Sequence, residues 1–141
     1  MEYEVEANSK KAKVFLDAIM PSIIDQLGLT KSRKAVLIKV TKDVPDNMSG
    51  ATMDITAADC YLVMIKPPKR LTHATLLDMA LTLAHEMVHV RQFAKGQLKF
   101  AKGSNRIWMG KTYTKKTKYL DQPWEIDAFA RQEIILRRAI A

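Results

Sequence analysis

Apolar residues recur along this chain first with the period of a helix, then of a strand, then of a helix again. Phe15, Ile19, Ile23 and Leu27 stand four apart, the spacing that lines one helix face. Asn8 or Ser9 can cap the start of that helix and Gly28 can end it, while Pro21 should kink or divide it. Val36, Ile38 and Val40 alternate with Leu37 and Lys39 as a strand does. Residues 46–50, DNMSG, are turn chemistry. Met53 and Ile55 then alternate with Thr52, Asp54 and Thr56, which predicts a half-buried strand; residues 61–65 are almost wholly apolar and suit a central one.

After Pro67 and Pro68, residues 74–94 hold no Gly or Pro and are rich in Ala, Leu and Met, which favour helix. Thr72 is its candidate N-cap and Gly96 its terminator, and Leu77, Ala80, Leu81, Ala84, Met87 and Val88 form one apolar stripe. Pro123 reads as the first residue of a last helix, capped by Gln122 or Asp121, with Ile126, Phe129, Ala130 and Ile134 as its apolar face. The order is helix, strands, helix, basic loop, helix. It predicts one α+β domain spanning residues 1–141, with a small mixed sheet packed on the helix over 74–94.

Length and composition fit that picture. A chain of 141 residues has the usual size of one domain and can bury one core, and 48% hydrophobic residues argue against overall disorder. Cys60 is alone, so no intrachain disulfide can form and no disulfide-linked partner is expected; a small buried strand residue is its plainest role. The first fifteen residues lack an apolar leader and no stretch approaches a membrane span. These features point to the cytoplasm and to no membrane partner.

Within the long helix lies His85-Glu86-Met87-Val88-His89. Histidines four apart share a helix face, so both imidazoles can close on one metal ion. Glu86, one step round, can serve the water beside that metal without binding it. This is the HExxH pattern, in which metal polarises a carbonyl and acidifies water while Glu accepts a proton. A buried-looking helix is a costly place for two histidines and a glutamate that have no such purpose.

An open catalytic zinc site has three protein ligands. His73, the third histidine, lies about three turns before His85 on the same helix and is badly placed. No cysteine follows the motif, and the acids beyond His89 are Asp121, Glu125, Asp127 and Glu133. Glu125, in the first turn of the last helix, is the candidate ligand. A first-turn acid also favours a helix N-terminus through the macrodipole, with no metal involved.

HEMVHVRQ followed by PWEIDAFA resembles the gluzincin metallopeptidases, in particular the single-domain minigluzincins and SprT-like metallopeptidases of bacteria and phages. The resemblance covers residues 81–130. It implies a zincin-like fold, a zinc-dependent endopeptidase with one zinc per chain, His85, His89 and Glu125 as ligands, and Glu86 as general base. It also implies that the strand over 51–56 lies at the sheet edge and pairs with extended substrate; on the sequence alone an ordinary solvated edge strand fits equally. Many gluzincins place an Asp four residues after the ligand Glu to orient a histidine. Here that position is Phe129, which leaves Asp127 as the candidate for that part. SprT proteins use a third histidine that this chain lacks. Stabilising an oxyanion needs a donor near the metal, for which Tyr119 and Tyr113 are candidates.

Residues 91–118 hold nine Lys or Arg and no acid, against a net charge of +8 for the whole chain. Phe93, Phe100, Trp108 and Tyr113 are interleaved, and residues 107–113 can form a hairpin with Trp108 on the core. Lys111, Lys115, Lys116 and Lys118 are candidate contacts to nucleic acid or another acidic partner. The plain alternative is a solvated lysine face with its aromatics turned inward. Three functions therefore stand: a zinc endopeptidase acting on protein or peptide; a nucleic-acid-associated SprT-like or repressor-cleaving protease; and a non-catalytic zinc-binding regulatory module. Glu86 argues against the last, because a structural zinc site is normally closed by four protein ligands and needs no base.

Overall fold

The computed structural model describes residues 1–45 and 47–141, a small α+β domain. Among these residues are β1 (Tyr3–Glu6), α1 (Lys10–Gln26), β2 (Ala35–Val40), β3 (Gly50–Ile55), β4 (Cys60–Ile65), α2 (His73–Ala94), β5 (Leu98–Phe100), β6 (Arg106–Trp108), β7 (Lys111–Tyr113) and α3 (Pro123–Ile140). Short 3-10 turns, Thr56–Ala58 and Tyr119–Asp121, precede β4 and α3. No described helix is long and apolar enough to cross a membrane.

The first sheet is mixed, in the order β1-β2-β4-β3, with β1, β2 and β4 parallel and β3 antiparallel at the edge. Its strands are one-sided. Val5, Val36, Ile38, Tyr61, Val63 and Ile65 point into the core, where they meet Leu16, Ile23, Leu83 and Met87 of the helices. Leu37, Leu62, Met64, Met53 and Ile55 lie on the other face and are half-buried or exposed. β1 escapes the sequence reading because it is only four residues long, although Tyr3-Glu-Val-Glu6 does alternate.

The register reverses the expected facing of β3. Thr52 pairs with core-facing Val63, so Thr52 looks toward α2 while Met53 and Ile55 face outward, and Thr56 already belongs to the 3-10 turn. Alternation gives the period of a strand, not its phase; the phase comes from the neighbour. Of the expected turn over 46–50, Asp46 lies outside the described residues.

Helix boundaries follow their local chemistry. Ser9 caps α1 by accepting from the Ala12 N–H, and Gly28, with φ +69°, follows its end. Pro21 does not divide the helix, which runs unbroken from Lys10 to Gln26. Thr72 and Thr75 form a reciprocal capping box on α2, and Gly96, with φ +71°, ends it. The buried stripe of α2 is centred on Leu76, Met79, Ala80, Leu83, Ala84, Met87 and Val88, whereas Leu77 and Leu81 are only half-buried.

The face of α3 also differs from expectation. Ile126, Phe129, Ala130 and Ile134 are exposed, and the helix buries Trp124, Glu125, Ala128 and Ile135 against α2 and α1. The buried side carries the polar Glu125 and Gln132, and a hydrophobicity pattern cannot select a face that holds polar groups.

The basic stretch folds into a second sheet, β5-β6-β7, fully antiparallel. β6 and β7 form the expected hairpin through Met109-Gly110, both at positive φ (51° and 85°).

Candidate metal centre

α2 and α3 pack together and bring three side chains to one point. His85 and His89 stand one helical turn apart, ring centroids 5.0 Å from each other, and Glu125 enters from the first turn of α3. Glu125 Oε1 lies 2.8 Å from His85 Nε2 and 3.1 Å from His89 Nε2. Potential ligand atoms of the three all fall within 4.8 Å of one another, and all three residues are buried. A group of this kind can hold a metal ion.

The donor chemistry tests that fit. Gln92 Nε2 donates to the Trp124 carbonyl (2.9 Å) and to Asp127 Oδ2 (3.0 Å), so its amide oxygen is the atom 2.8 Å from His89 Nδ1. An amide oxygen only accepts, so Nδ1 carries the proton and donates it. In the neutral imidazole, Nε2 is then a bare lone pair facing a carboxylate oxygen. Gln132 Oε1 stands 2.8 Å from His85 Nδ1 and, as an acceptor there, matches the same arrangement on the second ring. Two lone pairs and a carboxylate converging in a buried space require a cation, either a metal ion or a proton.

Without metal, a proton at His89 can supply that charge. Burial works against a charged His89, but its hydrogen bond with Glu125 and the charge of Glu125 outweigh it and raise the imidazole above its usual value. Burial pushes Glu125 the other way, yet bonds from His85 and His89 bring the carboxyl down to about 2.

Glu86 is buried beside this group but is not part of it. Its Oε1 accepts from the Thr52 hydroxyl at 2.8 Å, and the same hydroxyl lies 3.1 Å from the Glu86 carbonyl. Burial raises its pKa; the neighbouring histidines and the Thr52 bond offset that only in part. Gly50 makes the approach of β3 possible, since a Cβ there would fall 2.7 Å from Thr82 Cγ2 and 3.0 Å from Glu86 Cγ. A cleft of about 430 Å³ opens over His85 and Glu86, walled by residues 47–50, Leu81, Thr82, Tyr119, Phe129 and Gln132.

The remaining candidates divide. The Tyr119 hydroxyl donates to Glu125 Oε1 at 3.1 Å and lines the cleft; burial and the charge of Glu125 hold its phenol above the usual value. Tyr113 is not at the centre: its ring packs edge-on against Trp124, 5.6 Å away. Asp127 touches neither histidine; it bonds Gln92 and Arg131, and so reaches His89 only through the amide. Phe129 sets its ring edge-on to His85 with centroids 4.6 Å apart, while the hydrogen-bond partner of His85 Nδ1 is Gln132.

Lys111, Lys115, Lys116 and Lys118 are exposed, and neither they nor the other five positives of residues 91–118 line the cleft. Three rings of that stretch are engaged within the chain, while Trp108, expected on the core, is half-buried and is not among the residues packed there. Phe93 packs on Phe100, Arg106 covers Phe100, Tyr113 meets Trp124, and Lys111 lies over Tyr113.

Gln92, Gln132 and Thr52 escape a reading of the sequence. Gln92 has the clearest signal, since it follows His89 by three residues and so shares its helix face. Compared with known proteins, the chain matches no protein-family model, no curated protein and no solved structure.

Proposed function

We propose that this chain is a zinc-dependent endopeptidase of the gluzincin type, with a zincin-like arrangement of the mixed sheet over the HExxH helix. The observation that carries the proposal is the convergence of His85, His89 and Glu125 while Glu86, buried alongside and facing the cleft, stays outside the group. One carboxylate and two imidazoles suit zinc, and three ligands leave a position open. Zinc held there would supply Lewis acidity toward a peptide carbonyl and would lower the pKa of water.

The chain's own residues perform the rest. Glu86 takes up a proton from the attacking water and returns it to the leaving amine; its raised pKa brings it nearer to neutrality, as a general base requires. Thr52 holds the carboxylate by one oxygen and leaves the other for the cleft. Tyr119, kept protonated at the cleft wall, would serve a developing oxyanion by turning its one hydroxyl hydrogen from Glu125 toward the cleft. β3, antiparallel at the sheet edge, offers its free side to an extended peptide. An acidic partner would meet Lys111, Lys115, Lys116 and Lys118, all exposed, by charge.

Metal analysis and a cleavage assay on an unfolded protein substrate test the proposal with the unaltered chain and Glu86→Gln. About one zinc per chain is expected in both, with hydrolysis abolished in the variant. Near wild-type cleavage by Glu86→Gln would refute the mechanism, and Glu125→Gln with unchanged zinc content would refute the ligand set.

A further inference from the structure

We propose that Gln92, backed by Asp127 and the Trp124 carbonyl, is the positioning residue that fixes which nitrogen of His89 faces the metal, so that a neutral amide orients this ligand. The inference rests on the metal-centre proposal above and concerns how the chain presents the ligand.

An amide has one end that gives protons and one that accepts them. Both hydrogens of Gln92 Nε2 are committed, one to the Trp124 carbonyl at 2.9 Å and one to Asp127 Oδ2 at 3.0 Å. Rotating the amide by half a turn would set its oxygen against two acceptors in a fully buried position, where Gln92 is 0% exposed. The orientation is therefore locked from behind. The lock passes to His89, whose Nδ1 must donate to Gln92 Oε1 and whose Nε2 must present its lone pair beside Glu125. Asp127 thus affects a ring it does not touch. Gln132 gives His85 the same acceptor at 2.8 Å, but without an equivalent pair of acceptors behind it among the described residues. The tighter clamp is on His89.

The amide has an electrostatic consequence. A carboxylate against Nδ1 would add a second negative charge close to the ligands. Gln92 leaves Glu125 as the one charged member of the ligand set and keeps Asp127 a residue further back. Orientation and charge are thereby separated, and substitutions can address them one at a time.

Zinc affinity by competition with a chromophoric chelator, and the His89 Nδ1–H signal in the zinc-loaded protein, test the inference independently of catalysis. Gln92→Leu keeps the size and removes both ends of the amide. It should weaken zinc binding by roughly 10–100-fold, the usual cost of losing a group that orients a metal-bound histidine, and should abolish the slowly exchanging Nδ1–H resonance. Gln92→Glu alone sets a carboxylate against Asp127 and should also bind poorly. Adding Asp127→Asn turns one of the two acceptors behind that carboxylate into a donor and leaves the Trp124 carbonyl opposed to it, so the double variant should recover part of the affinity and the resonance. The two Glu-bearing proteins decide the matter even if the Leu variant folds poorly. Zinc binding by Gln92→Leu equal to wild type, or a double variant no better than Gln92→Glu alone, overturns the clamp while leaving the metal centre standing. Absence of zinc binding by the unaltered chain overturns both.

Discussion

At the scale of single residues, the centre has opposing demands that pH can separate. In metal-free protein the depressed Glu125 contributes stability above the ordinary carboxyl value of about 4.5 and loses it as pH falls toward about 2. The raised His89 contributes below the ordinary imidazole value of about 6.5 and loses it as pH rises through its elevated value. Glu86, also raised, has its contribution in full below about 4.5 and loses it as pH climbs through its elevated value. Metal-free protein should therefore be more stable near pH 5.5 than near pH 8.5, and urea midpoints on metal-stripped samples would show it. Equal midpoints would mean that His89 and Glu125 do not interact as their geometry indicates. The residues behind this behaviour were unevenly legible in the sequence. His85, Glu86 and His89 announce themselves by spacing, and Glu125 by the shortage of other donors. Gln92, Gln132 and Thr52 do not, because amides and hydroxyls are common everywhere and acquire a role only from what faces them.

At the scale of elements, local signals placed boundaries well and faces poorly. Thr72, Gly96, Ser9, Gly28 and Pro123 act through their own backbone neighbours, so they can be read without the fold. The phases of β3 and α3 depend on Val63 and on the α2 surface, which no window of sequence contains. One element departs from its local optimum. The β6–β7 turn requires positive φ at both central residues, and Met109 occupies one of them at 51° while being 67% exposed. A left-handed conformation costs an ordinary side chain roughly 1–2 kcal/mol and Asn much less. Met109→Asn should accordingly raise stability by about 1 kcal/mol, read as a higher denaturation midpoint at unchanged slope. A loss of stability would show that the Met109 side chain makes a contact its exposure does not suggest.

For the whole molecule, the centre joins α2 to α3, so a bound ion stabilises the packing of the two helices as well as the site. Zinc at a hundred times its dissociation constant should add about 2.7 kcal/mol to stability. For a domain of this size that is roughly 10 °C in melting temperature. Glu125→Gln should lose most of this gain, and its melting curve with and without chelator would nearly coincide. A wild-type curve that ignores zinc would leave α2 and α3 held by apolar contacts and by the hydrogen bonds between them.

The one-sided sheet has a further consequence, for the protein as a particle in solution. Leu37, Leu62, Met64, Met53 and Ile55 form an outward layer with no described element across it, on a molecule of net charge +8. Two such particles repel at long range through their charge and attract at contact through their oily faces. The Debye length, about 10 Å at 0.1 M salt, sets which force prevails, and it falls to about 3 Å at 1 M. Light scattering should give a positive second virial coefficient in dilute buffer that turns negative as salt rises, and Met53→Lys should postpone the change of sign. Colloidal behaviour would then be governed by the same register that turned Thr52 toward Glu86 and sent its neighbours outward.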